Sequence, residues 1–297
     1  MELKLLSTMM CISLAMVGCD KSSQTSAPTT TGSTVASTTS TNNATVTASK
    51  LPANAQTYVV AVDANFAPFA FKDEKGNIIG FDKDILDAIG ENQGFRINII
   101  GDRWDNIFDD LNAGKFDLVG SAVSINAERQ ATMDFSKPYI ESSIVIAYKD
   151  PDITSFDQLK AKKIAVQTGS YASDVLKENG IAPENIIEFK SNFLAYQAVV
   201  NGKADAVCED LNVLNYLGKQ LKSVTDTSKI KQMKLPTTES DMVGFAIKKG
   251  RKDLVDKVNQ GLDNIKQDGT YDKIYAKWFG DKTISTSASS SASTTKN

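Results

Sequence analysis

Short apolar runs that suit buried strands alternate with amphipathic stretches that suit helices through most of this chain. The first apolar run covers 58–62, and the later stretch 81–89 places its apolar side chains on one helical face. Gly90 and Gly94 are expected to end that helix. Strands separated by helices are typical of layered α/β folds with parallel sheets, so this alternation constrains the fold more than any single motif does.

The same alternation continues from residue 96 onward. It predicts strands at 96–100, 117–119, 144–148, 164–166, 186–189 and 204–207. It predicts helices at 104–111, 171–178 and 192–200. The folded body is therefore expected to extend from residue 57 to residue 283.

One short motif occurs twice in this body. Residues 114–119 and 202–207 both read Gly-Lys-x-Asp-x-Val, and each leads from a predicted helix into a predicted strand. Glycine is common where helices end. Two similar lobes, each presenting the carboxyl end of a strand, would explain the repeat, and ligands of open α/β sheets bind at such ends. Coincidence of a common helix-to-strand turn is the alternative.

The composition excludes several kinds of chemistry. The 297 residues contain no histidine, which rules out Ser-His-Asp triads, Cys-His pairs and histidine zinc sites. The three cysteines lack metal-ligand or redox spacing, and no dinucleotide or P-loop signature occurs. The net charge of −3 offers no basic surface for nucleic acid. We therefore expect no cofactor, no metal and no nucleic-acid partner.

The amino-terminal residues are typical of an export signal. An apolar run over 5–17 is too short to span a bilayer and fits the hydrophobic region of a signal peptide. Residues 16–19, Met-Val-Gly-Cys, resemble a bacterial lipobox, in which Cys19 is acylated, for example with palmitate, after removal of 1–18. An ordinary secretory signal with an incidental cysteine is the alternative.

Two flanking segments are rich in serine and threonine and are expected to be disordered. Residues 19–56 are predicted to form a flexible tether, and residues 284–297 a tail, because such segments bury too little apolar area to offset chain entropy. Cys208 is then the one thiol left in a lipidated chain, and we interpret it as a small apolar core residue.

Four segments of the folded body together resemble one family. They are 63–69 with 80–84, 121–139, 164–170 and 268–280. Their order and spacing resemble the extracellular solute-binding proteins of polar amino acid ABC importers, family 3. The resemblance implies the α/β two-lobe fold of type II periplasmic binding proteins, with two crossing hinge strands and a ligand in the interlobe cleft.

The resemblance also implies where the lobes begin and end. Lobe 1 is expected over 57–142 and 241–283, and lobe 2 over 143–240. The family's carboxylate-binding arginine falls on Arg129, whose planar guanidinium suits a carboxylate. The family's partner for the ligand ammonium falls on Asp210. The alternatives are a surface arginine in a helix first turn and an aspartate that caps the helix at 211–217.

Further contacts are implied on both sides of the cleft. Ser124 and the amide of Ala122 are expected to bond the ligand from lobe 1. Ser170 and Tyr171 stand at a helix start, where amides can meet a carboxylate from lobe 2. Tyr171 departs from the threonine or glycine of many relatives. Phe66 and Trp104 match positions of aromatic walls, with ordinary core packing as the alternative.

The charged residues at the remaining expected site positions indicate which ligand side chain the cleft favours. Asp63 and Glu209 match positions that contact the ligand side chain in some relatives, and Gln167 and Glu209 replace the lysine and histidine of a glutamine binder. Surplus negative charge favours arginine, lysine or ornithine over acidic amino acids. Glutamine or another neutral polar amino acid stays open.

The resemblance therefore implies a binding protein rather than an enzyme. A monomeric lipoprotein would be held to a membrane in the cell envelope, facing the periplasm or the outer surface. It would close its lobes on a free amino acid and deliver the ligand to an ABC transporter permease. The alternative of another class is a dehydratase of the same fold that acts on prephenate or arogenate, with Glu209 as a candidate general acid.

Overall fold

The computed structural model describes residues 51–222, 227–235 and 242–280. The predicted signal peptide with Cys19, residues 19–50 of the predicted tether and the predicted tail lie outside the described residues.

The described residues form strands and helices in alternation. The strands are β1 (Thr57–Val62), β2 (Asn65–Phe66), β3 (Ala70–Lys72), β4 (Ile78–Ile79), β5 (Arg96–Gly101), β6 (Leu118–Ser124), β7 (Met133–Phe135), β8 (Ile140–Glu141), β9 (Ile144–Tyr148), β10 (Ile164–Gln167), β11 (Ile186–Phe189), β12 (Ala206–Asp210), β13 (Lys231–Lys234) and β14 (Met242–Lys248). The α-helices are α1 (Phe81–Gln93), α2 (Ile107–Asn112), α3 (Ala127–Thr132), α4 (Phe156–Leu159), α5 (Tyr171–Glu178), α6 (Asn192–Val200), α7 (Leu211–Leu221), α8 (Lys252–Gln267) and α9 (Thr270–Phe279). No helix among the described residues combines the length and apolar character needed to cross a bilayer.

Two large sheets organise the described part of the fold, and β2, β3 and β4 form a third, small sheet. One has the order β5-β1-β6-β14-β7, with β8 paired to β14, and we call it and its helices the first lobe. The other has the order β11-β10-β12-β9-β13 and forms the second lobe. The chain passes from the first lobe to the second between β8 and β9. It returns between β13 and β14, where residues 236–241 lie outside the described part.

Both sheets are mixed, although the alternation predicted parallel layers. β1 is parallel to β5 and β6, and β10 is parallel to β11 and β12. β9 runs antiparallel to β12, and β14 runs antiparallel to β6. Each antiparallel strand directly follows a crossing between the lobes, so its direction is set by the lobe it enters and not by a local helix connection.

The repeated motif occupies matching places in the two lobes. Gly114 and Gly202 both have left-handed backbone angles, with φ of 78° and 68°, and each lies between a helix and a central strand. β6 lies between a parallel and an antiparallel neighbour, and so does β12. The two strands therefore point their carboxyl ends toward corresponding sites.

Helix α1 continues through Gly90, where the sequence predicted a stop. It ends before Gly94, whose φ is 76°. A Cβ atom at position 90 would lie 2.7 Å from the carbonyl oxygen of Phe95. Gly90 is therefore needed for the close approach of the returning chain and does not interrupt the helix.

The hydrophobic core is continuous from one lobe into the other. The largest cluster of buried side chains includes Phe81 and Phe245 of the first lobe and Val207 and Leu214 of the second. Cys208 is fully buried in the second lobe. Burial raises the pKa of its thiol, which keeps the thiol protonated and inert.

Candidate functional site

A cavity lies between the two lobes, where β6 and β12 end. Both lobes contribute to its lining, which consists of Phe66, Trp104, Ser121, Ala122, Ser124, Arg129, Ser142, Ile144, Gln167, Ser170, Tyr171, Ala172, Glu209, Asp210 and Val243. Its volume is about 30 Å³, room for about two water molecules. The lobes are thus closed tightly on each other, and a ligand as large as an amino acid requires them to move apart.

The residues predicted from sequence to bind ligand gather at this cavity. Ten of them line it, and the eleventh, Asp63, bonds to the lining residue Gln167. The sequence reasoning missed several lining residues, namely Ser121, Ser142, Ile144, Ala172 and Val243. Ser142, Ile144 and Val243 lie at or beside the crossings between lobes, a position that the two-lobe interpretation could have flagged.

Arg129 is held with its guanidinium at the cavity. It lies in α3, where its amide donates to the capping Asn126 Oδ1 at 2.9 Å. Its Nη1 donates to the carbonyl of Ser124 at 3.2 Å. The guanidinium carbon lies 4.9 Å from the ring centroid of Phe108 and 5.7 Å from that of Trp104. These contacts fix a cation over aromatic faces at one wall of the cavity.

The end of β6 has an unusual backbone that a buried carboxylate supports. Ser121 and Ala122 have φ of 77° and 48°, a region that costs side-chain-bearing residues about 1–2 kcal/mol each. Asp82 Oδ2 accepts from both of their amides, at 2.5 and 2.9 Å. Its Oδ1 accepts from the Tyr139 hydroxyl at 2.7 Å. Asp82 therefore holds this lining segment from inside the first lobe.

Asp82 is fully buried, and this burial changes the pKa of its carboxyl group. Burial raises the pKa of its carboxyl to about 6, against the lowering effect of the three hydrogen bonds. At pH 7 the group is mostly ionised, which suits an acceptor of three donors.

Asp63 follows β1 and connects the lobes. Its amide donates to Ser121 Oγ at 2.9 Å, and its Oδ1 accepts from Asn65. Its Oδ2 accepts from Gln167 Nε2 of the second lobe at 2.6 Å. Burial raises the pKa of its carboxyl. In this closed structure the Asp63 carboxylate is thus hydrogen-bonded to Gln167.

Aromatic rings form the wall beside Asp63. Phe66 lies parallel to Trp104, with ring centroids 6.4 Å apart and planes inclined by 9°. The indole Nε1 of Trp104 donates to the carbonyl of Gly169 in the second lobe at 3.0 Å. This wall is therefore also a contact between the lobes.

Asp210 both caps a helix and lines the cavity. Its Oδ1 accepts from the amides of Asn212 and Val213, at 2.7 and 3.0 Å, at the start of α7. Both capping bonds end on one oxygen, so Oδ2 is not used by them. The capping role and a role at the cavity are compatible in one side chain.

Glu209 lies beside Asp210 and is almost completely buried, with 4 % of its surface exposed. Its Oε1 accepts from the amide of Asp210 at 2.8 Å. Burial raises the pKa of its carboxyl to about 8, and the negative charges of Asp210 and Asp63 add to the rise. At pH 7 the closed site thus carries less negative charge than a count of carboxylates predicts.

Ser170 and Tyr171 stand at the start of α5, as predicted. The amide of Ser170 is used in a turn, where it donates to the carbonyl of Gln167 at 3.1 Å. The Ser170 hydroxyl is buried without a hydrogen-bond partner among the described residues. Ser170 is among the residues by which the second lobe lines the cavity.

Comparison with known proteins identifies the family. The chain is 36 % identical over 226 residues to a probable histidine-binding protein of Neisseria gonorrhoeae, covering 75 % of this chain and 82 % of that protein. It is 33 % identical over 226 residues to an arginine-binding periplasmic protein of Mannheimia haemolytica, covering 75 % and 92 %. Both relatives are described as binding proteins and not as enzymes.

Solved structures agree with the sequence comparison. An ancestral arginine-binding protein bound to glutamine has a TM-score of 0.66 and 36 % identity, covering 76 % of this chain and 98 % of that chain. This likeness confirms the predicted two-lobe type II fold. Residues 58–281 match bacterial extracellular solute-binding proteins, family 3. This chain is therefore a member of that family.

Proposed function

We propose that this protein binds a free basic amino acid between its lobes and delivers it to the permease of an ABC importer. The observation that carries the proposal is that Arg129 and Asp210 both line one cavity. A guanidinium suits the carboxylate of an amino acid, and a carboxylate suits its ammonium. The cavity is thus complementary to the two charges that every free amino acid carries.

The acidic residues around the cavity support a basic side chain on the ligand. Glu209 lines the cavity beside Asp210, and Asp63 reaches it through Gln167. Arg129 is the one basic residue among the described lining residues, and we assign it to the ligand carboxylate. The names of the histidine- and arginine-binding relatives agree with this choice.

Closure of the lobes provides the signal for delivery. The cavity of about 30 Å³ is too small to admit a ligand without opening. The crossings between β8 and β9 and between β13 and β14 join the lobes, and a hinge there would let them separate. A permease that reads the closed shape would then distinguish loaded from empty protein.

Thermal unfolding against the twenty amino acids, ornithine and prephenate tests the proposal. A ligand at 100 times its dissociation constant adds about 2.7 kcal/mol, and each kcal/mol raises Tm by about 2–4 °C in a domain of this size. A rise with arginine, lysine or ornithine supports the proposal. A rise with glutamine alone keeps amino acid binding and contradicts the basic ligand. A rise with prephenate and with no amino acid would replace the proposal by the dehydratase alternative.

We also propose that Cys19 anchors the protein to a membrane of the cell envelope. The lipobox-like residues 16–19 support acylation, and the Ser/Thr-rich segment after them supports a tether between the membrane and a monomeric folded body. Palmitate labelling of cells that express the protein tests this. Label on the wild type and none on Cys19→Ser is expected, and equal label on both would contradict it.

A further inference from the structure

We propose that Glu209 determines which ligand charge the closed cleft accepts: it holds a proton when no cation lies beside it, and it releases that proton when a cationic ligand binds. This inference rests on the proposed function and adds a mechanism of selection to it.

The first support is an incompletely bonded carboxyl group at the cavity. Glu209 Oε2 is buried and has no hydrogen-bond partner among the described residues, whereas Oε1 accepts from the amide of Asp210. Buried polar atoms normally have partners, and an isolated one is costly. Glu209 is among the residues that line the cavity, so we assign a group of the ligand as the partner that this oxygen gains when the lobes open and close on it.

The second support is the charge that surrounds this carboxyl. Asp210 follows it in the chain, and Asp63 adds negative charge from the first lobe. Arg129 lines the same cavity, with its guanidinium bonded to the Ser124 carbonyl and stacked on aromatic rings. Three carboxyl groups thus share this region with one cation, an arrangement that disfavours simultaneous ionisation of all three.

Among the described residues, the other elements packed around β12 place no cation against Glu209, and Lys234 of β13 lies one strand farther away, across Val145 of β9. β9 opposes Glu209 with Val145, and β10 contributes the neutral Gln167. α5 contributes Tyr171 to the cavity, while Tyr196 of α6 and Tyr216 of α7 are not among the lining residues. The thiol of Cys208 precedes it in the strand and stays protonated.

A proton neutralises the Glu209 carboxyl in the absence of a cation. The raised pKa of Glu209, about 8, agrees with a neutral carboxyl at pH 7. When the guanidinium or ammonium of a ligand side chain lies beside the group, the nearby positive charge favours the ionised form. One positive charge then enters the closed cleft and one proton leaves for the solvent, so the net charge of the cleft does not change.

This exchange gives the cleft a pH-dependent choice of ligand. Below pH 8 a cationic ligand must displace the proton. Its affinity therefore falls by about tenfold for each unit by which the pH is lowered. A neutral ligand such as glutamine displaces no proton. The affinity for glutamine therefore stays constant as the pH is lowered, while the affinity for arginine declines.

Calorimetric titration with arginine at pH 7 in phosphate and in Tris measures the protons exchanged. We expect release of about 0.9 proton per arginine from the wild type, since a group with a pKa near 8 is about nine-tenths protonated at pH 7. Glu209→Gln is expected to release close to none and to bind arginine with a pH-independent Kd. The matched control Glu188→Gln changes an exposed glutamate on β11 and should behave like the wild type.

Carbon NMR of glutamate-labelled protein checks the same point without relying on a variant's affinity. One carboxyl signal, identified by its loss in Glu209→Gln, should titrate near pH 8 without arginine and below pH 7 with it. Arginine binding without proton release, or equal release from Glu209→Gln, would overturn this inference and leave the proposed function standing. Failure of every amino acid to bind would overturn both.

Discussion

Gln167 donates from Nε2 to Oδ2 of Asp63 at 2.6 Å, and this hydrogen bond joins the two lobes. Gln167 ends β10, and Asp63 directly follows β1. The bond therefore connects the carboxyl end of a strand in one sheet to the carboxyl end of a strand in the other sheet. Trp104 and Gly169 form a second interlobe bond nearby. The closed form thus has stabilising contacts of its own, to which ligand contacts add.

Loss of the bond to Asp63 is expected to favour the open form. Gln167→Leu keeps the size of the side chain but leaves a buried carboxylate oxygen without its donor, which costs about 1–3 kcal/mol. We expect ligand affinity to fall by about five- to a hundredfold, because closure becomes less favourable.

Tryptophan fluorescence can measure this closure directly. The chain has two tryptophans, so Trp278→Phe leaves only Trp104, which lies at the cleft. In that background Gln167→Leu should increase acrylamide quenching before ligand is added. Gln232→Leu alters an exposed glutamine on β13 and serves as the control. Unchanged quenching and affinity in Gln167→Leu would show that the bond does not contribute to closure.

Asp82→Asn is expected to disturb the cavity from a distance. Asp82 accepts from the amides of Ser121 and Ala122 and from the Tyr139 hydroxyl, whereas asparagine offers these three donors one acceptor oxygen that carries no charge. We expect a loss of about 2–4 kcal/mol of unfolding free energy. Ligand affinity measured well below Tm should also fall about tenfold, because the left-handed segment that lines the cavity loses its support.

The control for that experiment lies on the same helix. Asp87→Asn removes a partly exposed carboxylate that pairs with Lys83, a kind of contact that contributes about 0–1 kcal/mol. A purely structural role for Asp82 would lower Tm and leave the affinity of the folded protein at the wild-type value.

Local sequence patterns were sufficient to predict much of the fold. The strand at 144–148 and the helices at 171–178 and 192–200 have the predicted bounds. The apolar spacing of the helix at 171–178 matches the face that it buries, whereas the helix at 192–200 leaves Phe193 and Leu194 exposed. The direction of β14 could not be inferred in this way. It depends on a crossing from the other lobe, and nothing in the residues of β14 encodes which neighbour it joins.

The candidate site was predictable at the level of residue types and not of contacts. Arg129 and Asp210 were identified through the resemblance to the family, and their chemistry matches the ends of an amino acid. That Asp63 would be bonded to Gln167 depends on how closely the lobes approach. The raised pKa of Glu209 likewise follows from burial by both lobes, which no local pattern reveals.

Arg129→Lys is expected to weaken amino acid binding although it keeps the charge. The guanidinium lies over the Phe108 ring and presents a planar fork that can bind both oxygens of a carboxylate, and an ammonium offers no such fork. We expect Kd to rise by about ten- to a hundredfold, measured by calorimetry, with little change in Tm of the unliganded protein. Arg103→Lys makes the same change at an exposed position. Equal affinities of the two variants would exclude Arg129 as the carboxylate-binding residue.

Glu209 also makes the stability of the unliganded protein depend on pH. Its carboxyl has a pKa of about 8 in the folded protein and an ordinary value of 4.5, so the folded state binds more protons between these values. The stabilisation is therefore complete below pH 4.5 and is lost as the pH rises through 8. Glu209→Gln removes this dependence. We expect the unfolding free energy of the variant, relative to that of the wild type, to rise by about 2 kcal/mol between pH 6.5 and 8.5.

Urea unfolding across that range provides the measurement. Titration of Asp82 does not interfere with this measurement, because its pKa of about 6 leaves the carboxyl mostly ionised between pH 6.5 and 8.5. Glu188→Gln should follow the wild-type curve, since this carboxyl is exposed and lies away from the cavity lining. Parallel curves for the wild type and Glu209→Gln would mean that the Glu209 carboxyl is already ionised in the folded protein at pH 6.5. A fall in the unfolding free energy of Glu209→Gln, relative to that of the wild type, between pH 6.5 and 8.5 would have the opposite sign and contradict the raised pKa of Glu209.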